Sequence, residues 1–384
     1  MRICHVITKP ELGGAQLTTL HILSRLPKDK YDVSVITSPK GMLGPEFSNL
    51  QRVKSYFLPF FTRPINPLYD IFAFIAIYYI YSRDRYFLVH THSSKAGIIG
   101  RWAARVAKIP VIIHTVHGWS FNDYQPLILK KLYIFLEKVT ARFTTKIICV
   151  SERDIETGLR YKIAPKDKFV FIKYGILLSE FRKGRKEADN LLQKKKELGI
   201  FNNDPIVGMI SCLKPQKSPM DFIKASLEIY KRRPDVNFLL IGDGALKTKC
   251  KRLLSDTSLN GKFIFAGWRR DISSILDVLD VVVLTSKWEG MPISIIEAFC
   301  KGCPVVATDV GGTSELVKDG VTGYLTRPGS YKEIAGKVLR ILEDRACFSK
   351  MKEEASLSID DSFGVERMVK EIEELYCNTK RTSL

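Results

Sequence analysis

Short apolar runs separated by longer segments of helical periodicity recur from the first residues of the chain. The runs Ile3 to Thr8, Val33 to Thr37, Phe87 to His90, Val111 to Thr115 and Lys146 to Val150 predict strands, and the segments between them predict helices. Strand, helix, strand alternation predicts a parallel sheet. The same rhythm restarts at Ile206 to Ile210 and continues through Phe238 to Ile241, Phe263 to Phe265, Val281 to Leu284, Val305 to Thr308 and Gly323 to Leu325. The expected architecture is therefore α/β, with two doubly wound units.

Between the two series, residues 181 to 196 are polar and basic, with Arg182-Lys183-Gly184-Arg185-Lys186 and Lys194-Lys195-Lys196 around one acidic cluster, and the interdomain connection is expected there. Near the C-terminus Met368, Val369, Ile372, Leu375 and Tyr376 recur at helical spacing among charges, which predicts a closing amphipathic helix. Domains are expected at 1–180 and 181–363, followed by a helix and tail at 364–384. In open parallel sheets ligands sit beyond the carboxyl ends of the strands. Two such domains facing each other would make a cleft, and the loops that follow strands are where chemistry is to be sought.

A length of 384 residues, 45% hydrophobic and 26% charged, excludes a disordered or collagen-like chain and allows more than one core. Sixty basic against forty-one acidic side chains leave +19, and the excess is lopsided. Residues 1–190 hold 30 basic and 15 acidic groups, whereas residues 191–384 hold 30 and 26. A cationic first half suits an anionic membrane surface or a phosphorylated substrate. Nucleic acid is not expected, because the basic residues are scattered without an interleaved aromatic reading motif. The stretch Ile71 to Tyr81 is too short to span a bilayer and predicts a buried or interfacial helix. Met1-Arg2 runs straight into an apolar strand, so no leader peptide is expected and the compartment is expected to be cytoplasmic. The eight cysteines lie mostly in apolar runs, as reduced thiols do. Cys300 and Cys303 form a C-x-x-C with no second pair or nearby His to complete a zinc site.

The strongest chemical signal is Trp288-Glu289-Gly290-Met291-Pro292-Ile293-Ser294-Ile295-Ile296-Glu297-Ala298, directly after the strand Val281 to Leu284. Pro292 suits the first turn of a helix and Gly290 lets the backbone pass close to a ligand. Glu289 is thus expected on the loop and Glu297 in the second helical turn. The helix start offers N–H groups to a diphosphate, and a carboxylate can accept two adjacent ribose hydroxyls.

This Glu-x7-Glu in its Glu-Gly-x-Pro context resembles the signature of the retaining nucleotide-sugar glycosyltransferases of family 4, or group 1, and the resemblance spans nearly the whole chain. It implies the GT-B fold, two facing Rossmann-like domains, with acceptor bound by the first and nucleotide-sugar by the second. It further implies that Glu289 contacts the donor sugar and Glu297 the ribose, with Gly290, Met291, Pro292 and Ile293 lining the donor. Glu11-Leu12-Gly13-Gly14-Ala15-Gln16 is similar to the family's first glycine loop, placing Gly13 and Gly14 near the donor. His117 in Thr115-Val116-His117-Gly118 resembles the sugar-facing histidine near the reaction centre. His90 and His92 read as cleft lining. Lys217 in Ser211-Cys212-Leu213-Lys214-Pro215-Gln216-Lys217-Ser218-Pro219 resembles the lysine on the donor diphosphate, whereas the commoner Arg falls at Cys212. Tyr174 stands where many relatives have Asn. Trp268 and Arg269, in Ala266-Gly267-Trp268-Arg269-Arg270-Asp271, resemble the loop whose backbone reads the nucleobase, and Asp309-Val310-Gly311-Gly312-Thr313-Ser314-Glu315 resembles the family's Gly-Gly loop.

The implied function is transfer of a sugar from a nucleotide diphosphate, expected to be a UDP-sugar, to a glycan or polyprenyl-diphosphate-linked acceptor. Glu289, His117 and Lys217 are the expected catalytic groups. The chain contains no Asp-x-Asp pair to hold a metal on diphosphate, so neither metal nor other cofactor is expected. Alternatives are a UDP-sugar hydrolase or epimerase of the same fold and a non-catalytic nucleotide-sugar-binding subunit. The cationic first half suggests a peripheral position on the inner face of the plasma membrane. The loops 57–67 and 119–126 are aromatic, which fits sugar stacking, membrane contact or core packing alike.

Overall fold

The computed structural model describes residues 1–182, 188–255, 257–259 and 261–382. The chain forms two compact units: Met1–Gly175 joined by the C-terminal helix Val365–Thr382, and Ile176–Gly364.

Seven strands build the first unit: β1 (Arg2–Val6), β2 (Asp32–Thr37), β3 (Val53–Phe57), β4 (Leu88–His92), β5 (Val111–Val116), β6 (Lys146–Cys149) and β7 (Phe169–Phe171). All pair in parallel in the order β3-β2-β1-β4-β5-β6-β7. The second unit repeats the winding with β8 (Ile206–Ile210), β9 (Asn237–Ile241), β10 (Phe263–Gly267), β11 (Val281–Leu284), β12 (Val305–Thr308) and β13 (Gly323–Thr326), ordered β10-β9-β8-β11-β12-β13. Every central strand is buried on both faces, which is why these segments read as continuous apolar runs rather than alternating ones.

The apolar pattern passes over two strands, and both are sheet edges. In β3, Val-Lys-Ser-Tyr-Phe, no residue is fully buried, and β7 has three residues with only Phe169 buried. An edge strand lacks the second covering layer that makes a central strand uniformly apolar.

The division between units falls at Gly175/Ile176 rather than after residue 180, and the C-terminal helix belongs to the first unit. The basic stretch expected as a connection begins at the last residue of the helix Leu178–Phe181 and runs into the helix Ala188–Glu197. Leu198 and Ile200, just beyond, are buried in the second unit, so the segment is part of that unit's body. Lys183, Arg185 and Lys186 of the basic run lie outside the described residues.

The first unit has separate cores on its sheet, one around Val6, Ile77, Tyr81, Val89 and Ala103, the other around Val116, Trp119, Phe121, Ile147 and Phe169. Val207, Phe222, Phe238, Val283 and Ile334 anchor the core of the second unit. Each such side chain contributes roughly 1.5–3 kcal/mol of burial free energy. Trp119 and Phe121 stack at 5.2 Å, and the Trp119 indole donates to Asp154 O at 2.8 Å, so the aromatic residues at the start of the 119–126 loop serve packing. Phe61 is likewise fully buried. In the first unit a charge pair is sealed inside: Arg101 Nη2 meets Glu137 Oε2 at 2.7 Å, with Arg101 fully buried and also donating to Gly97 O and Thr144 Oγ1.

Candidate active site

In the second sheet the winding reverses between β8 and β11, and the loops 211–218 and 285–292 leave their carboxyl ends side by side. Backbone and side-chain bonds stitch these loops together. Lys287 N donates to Gln216 O at 2.7 Å, Gln216 Nε2 donates to Trp288 O at 2.8 Å, and Thr285 Oγ1 lies 2.9 Å from the carbonyls of both Lys217 and Ser218. On this base Lys217 Nζ makes an ion contact with Glu289 Oε1, and Ser286 Oγ donates to the same oxygen at 2.6 Å. Glu289 is only 9% exposed. The loop after β12 supports it from behind: Gly312 N donates to Gly290 O at 2.6 Å, and Gly311 has φ +53° with a Cβ position only 2.0 Å from Glu289 O. That space and that φ admit only glycine.

Pro292 is the N-cap of the helix Ile293–Cys300 and offers no side-chain cap, so the first-turn N–H groups point beyond the helix end. Glu297 sits in the second turn, as expected from its spacing. It is partly buried, and burial together with the negative charge of Glu180 pushes its carboxyl up to about 8. A lysine, an acceptor carboxylate and open amides beside one another can neutralise a diphosphate and order sugar hydroxyls.

The loop after β10 holds Trp268 and Arg269 half-buried. Arg269 forks onto Asp271 at 2.8 and 2.6 Å, which holds that carboxyl well below the ordinary range. With its guanidinium committed in this way, Arg269 has its backbone as its main offering to a ligand. Gly242, φ +124°, lies with its Cβ position 2.0 Å from Ser211 O, bringing the loop after β9 against the loop that carries Cys212.

In the first unit Gly13 caps the helix Gly14–Arg25 with no side-chain cap bond, so the amides that follow open onto the loop after β1. His117 follows β5. Its Nδ1 shares a hydrogen bond with Tyr174 Oη, its Nε2 shares one with His92 Nδ1 at 3.2 Å, and its ring stacks on Tyr174 at 5.6 Å. Burial pushes its imidazole down to about 3.

The structure thus brings Lys217 and Glu289 into contact and commits Arg269 to Asp271. It corrects the reading of His90 and His92 as cleft lining: both belong to β4 and are fully buried. With His5 they bring ring nitrogens within 4.8 Å of one another. Sequence reasoning missed His5, Tyr376 and the support from Ser286. The one available signal was the alternation His90, Thr91, His92, which sets two imidazoles on the same face of a strand.

Comparison with known proteins agrees with this geometry. The model of the family Glycosyl transferases group 1 matches residues 192–357, and that of Glycosyltransferase Family 4 matches residues 12–180. The chain is 32% identical over 379 residues to the UDP-Gal:alpha-D-GlcNAc-diphosphoundecaprenol alpha-1,3-galactosyltransferase of Escherichia coli, covering 98% of this chain and 96% of that one. It is 24% identical to the capsular polysaccharide biosynthesis glycosyltransferase CapM of Staphylococcus aureus, with 91% of each chain covered. Among solved structures, Anabaena Alr3699/HepE in complex with UDP and glucose superposes with a TM-score of 0.83 at 22% identity, covering 98% of this chain and 99% of that one. WaaG, a glycosyltransferase involved in lipopolysaccharide biosynthesis, gives 0.80 at 14% identity, covering 97% and 99%. The chain belongs to the group 1 glycosyltransferases of family 4, and it has their GT-B fold.

Proposed function

We propose that this enzyme moves a hexosyl group from a UDP-sugar to a hydroxyl of a lipid-linked glycan, with retention at the anomeric carbon, in polysaccharide or glycoconjugate assembly. The observation that carries the reading is the Lys217–Glu289 pair held at the switch point of the second sheet. The bond from the anomeric carbon to the diphosphate breaks in an oxocarbenium-like transition state. Lys217 and the amides at the start of the helix Ile293–Cys300 stabilise the leaving charge. Glu289 orders the sugar hydroxyls, Glu297 takes the ribose, and Gly290, Met291, Pro292 and Ile293 line the donor. Trp268 and Arg269 present backbone to the nucleobase. In the first unit, Gly13 and Gly14 offer amides to the donor and His117 contacts sugar hydroxyls. The acceptor proton passes to the departing diphosphate, so no protein nucleophile is required. Turnover is metal-independent, and chelator that abolished it would sink that claim.

The donor and the diphosphate-linked acceptor are supported by the substrates named for the Escherichia coli relative. The enzyme works as a peripheral protein on the cytoplasmic face of an anionic membrane. Among the described residues no helix is long and apolar enough to cross a bilayer. The helix Pro67–Asp84, however, buries Ala73, Ile77, Ile80 and Tyr81 and leaves Leu68, Ile71, Phe72, Ile75 and Tyr79 exposed. Such a face lies in a headgroup layer rather than in water.

The test is a panel of nucleotide-sugars scored for thermal stabilisation and for release of nucleoside diphosphate, with and without bacterial lipid extract. Stabilisation by one UDP-sugar with lipid-dependent UDP release is the expected result. Lipid-independent release would indicate hydrolysis, and no response to any nucleotide-sugar would overturn the assignment.

A further inference from the structure

Seven side chains of the first unit form one unbroken line of hydrogen bonds. It begins at Tyr174 Oη, which meets His117 Nδ1. His117 Nε2 meets His92 Nδ1 at 3.2 Å, His92 Nε2 meets His5 Nδ1 at 3.0 Å, and His5 Nε2 meets Tyr376 Oη at 3.3 Å. Tyr376 Oη also meets His90 Nδ1 at 2.5 Å, and His90 Nε2 ends the line on Thr115 Oγ1 at 2.7 Å. Sheet register explains the convergence. His5 of β1 is the register partner of His90 in β4, and His92 lies two positions on, so the three rings share one face of the sheet. The C-terminal helix brings Tyr376 against them.

Both imidazole-to-imidazole bonds join an Nδ1 to an Nε2. A neutral imidazole has one N–H and one lone pair, so each such bond needs one donor and one acceptor. If His5 is protonated on Nε2, His92 must be, and then His117 must be. A mixed set would oppose two lone pairs or two N–H groups in a dry interior, at the cost of unsatisfied buried polar groups. An imidazolium would escape this rule, but burial, reinforced by the neighbouring rings, holds His90 and His92 well below the ordinary histidine range. Burial pushes His5 down to about 3. The direction of the line follows from acidity: a phenol is a stronger acid than a neutral imidazole, so in the 2.5 Å contact Tyr376 donates to His90. Tyr376 then accepts from His5 Nε2–H.

We propose that His5, His90, His92 and His117 are all neutral and protonated on Nε2, and that His92, His5 and Tyr376 are positioning residues that lock the tautomer and ring orientation of His117. The positioning role rests on the reading that His117 contacts the donor sugar; the common tautomer does not. In this arrangement His117 Nδ1 is an acceptor, occupied by the Tyr174 hydroxyl until a sugar hydroxyl competes for it. His117 cannot switch tautomer alone, because the change must pass through His92 and His5 to a residue on the C-terminal helix.

The experiment is long-range proton–nitrogen correlation NMR of the full chain labelled with nitrogen-15 histidine, without ligand, each ring assigned by single substitution. Four Nε2–H neutral rings are expected. Tyr376→Phe removes the acceptor of His5 Nε2–H, so His5, His92 and His117 should move together towards Nδ1–H. Its kcat should fall about tenfold, the low end of the loss known for removing an outer-shell partner of a metal-bound histidine, with donor KM unchanged. Unlike tautomers within the His5, His92, His117 set of the unsubstituted protein would overturn the proposal, as would zinc bound stoichiometrically to it. A Tyr376→Phe protein with unchanged His117 signals and kcat would overturn the positioning role. His117→Ala with full turnover would instead remove the donor-contact reading and the positioning role with it, leaving the shared tautomer standing.

Discussion

Lys217 and Glu289, 72 residues apart in sequence, are in direct ion contact at the carboxyl ends of neighbouring strands. Neither loop could hold its charge there alone: the lysine would lack this counter-charge, and the carboxylate would be desolvated beside the neutral Ser286 hydroxyl. On the proposed function, a donor diphosphate would give the ammonium a second anion to serve. Substitution of either member should therefore disturb the other.

Lys217→Met should lower kcat about a hundredfold, the scale of losing one donor aimed at developing negative charge. It should also lower the melting temperature, because Glu289 loses its cation. Glu289→Gln added to Lys217→Met should restore the melting temperature without restoring turnover. Steady-state kinetics and thermal melts of the three proteins check this. Full activity in Lys217→Met would remove the lysine from the reaction.

Glu297 links stability to pH. Its folded carboxyl stands at about 8 against 4.5 for the free group, so between those values the folded state holds a proton that the unfolded state has released. Stability from this group is fully present below about 4.5 and is lost as pH rises through about 8. Glu297→Gln should flatten that part of the melting curve and raise the melting temperature at pH above 8. If the carboxylate accepts ribose hydroxyls, UDP affinity should rise through the same window in the parent enzyme and not in Glu297→Gln, as titration calorimetry would show.

Gly311→Ala places a Cβ where Glu289 O already lies and forces a residue with a side chain into φ +53°. The backbone under Glu289 must move. Loss of about 1–3 kcal/mol of stability, together with a kcat decrease larger than that of a surface substitution, is expected from denaturant melts and kinetics.

Arg101 and Glu137 form a pair with almost no solvent access. Glu137→Ala alone leaves the guanidinium buried without its carboxylate and should cost about 3–5 kcal/mol. Replacing both with apolar residues of similar volume should recover most of that, because the double change removes both buried charges. A double variant no more stable than Glu137→Ala would refute the account.

Ile71 and Ile75 are 57% and 54% exposed on one helix face. Ile71→Glu with Ile75→Glu should reduce binding to anionic vesicles several-fold, while nucleotide binding by the second unit is unchanged. Sedimentation with vesicles of graded anionic content is the measurement; binding indifferent to the substitutions would remove this face from membrane contact.

Most of the strands were legible because buried parallel strands are apolar along their whole length and leave an uninterrupted mark. The edges β3 and β7 left none, since half of each strand faces outward. Glu289 and Glu297 were legible for a different reason: a loop, a proline and the start of a helix are local features, so eight positions of spacing already determine loop and second turn. Lys217 was placed by resemblance rather than by any local rule.

The histidine line shows where local reading ends. The residues 90–92 announce two imidazoles on one side of a strand, but that His5 lies opposite His90 depends on β1 pairing with β4 across the reversal of winding. That Tyr376 closes the line depends on the last helix returning to the first unit, 371 residues from His5. Composition, periodicity and short motifs determine elements, fold class and the chemistry on offer, because those are set by backbone geometry within a few residues. Which polar groups share a proton is set by register and by side-chain packing between distant segments, and burial, by removing water as an alternative partner, turns that packing into an obligatory pairing.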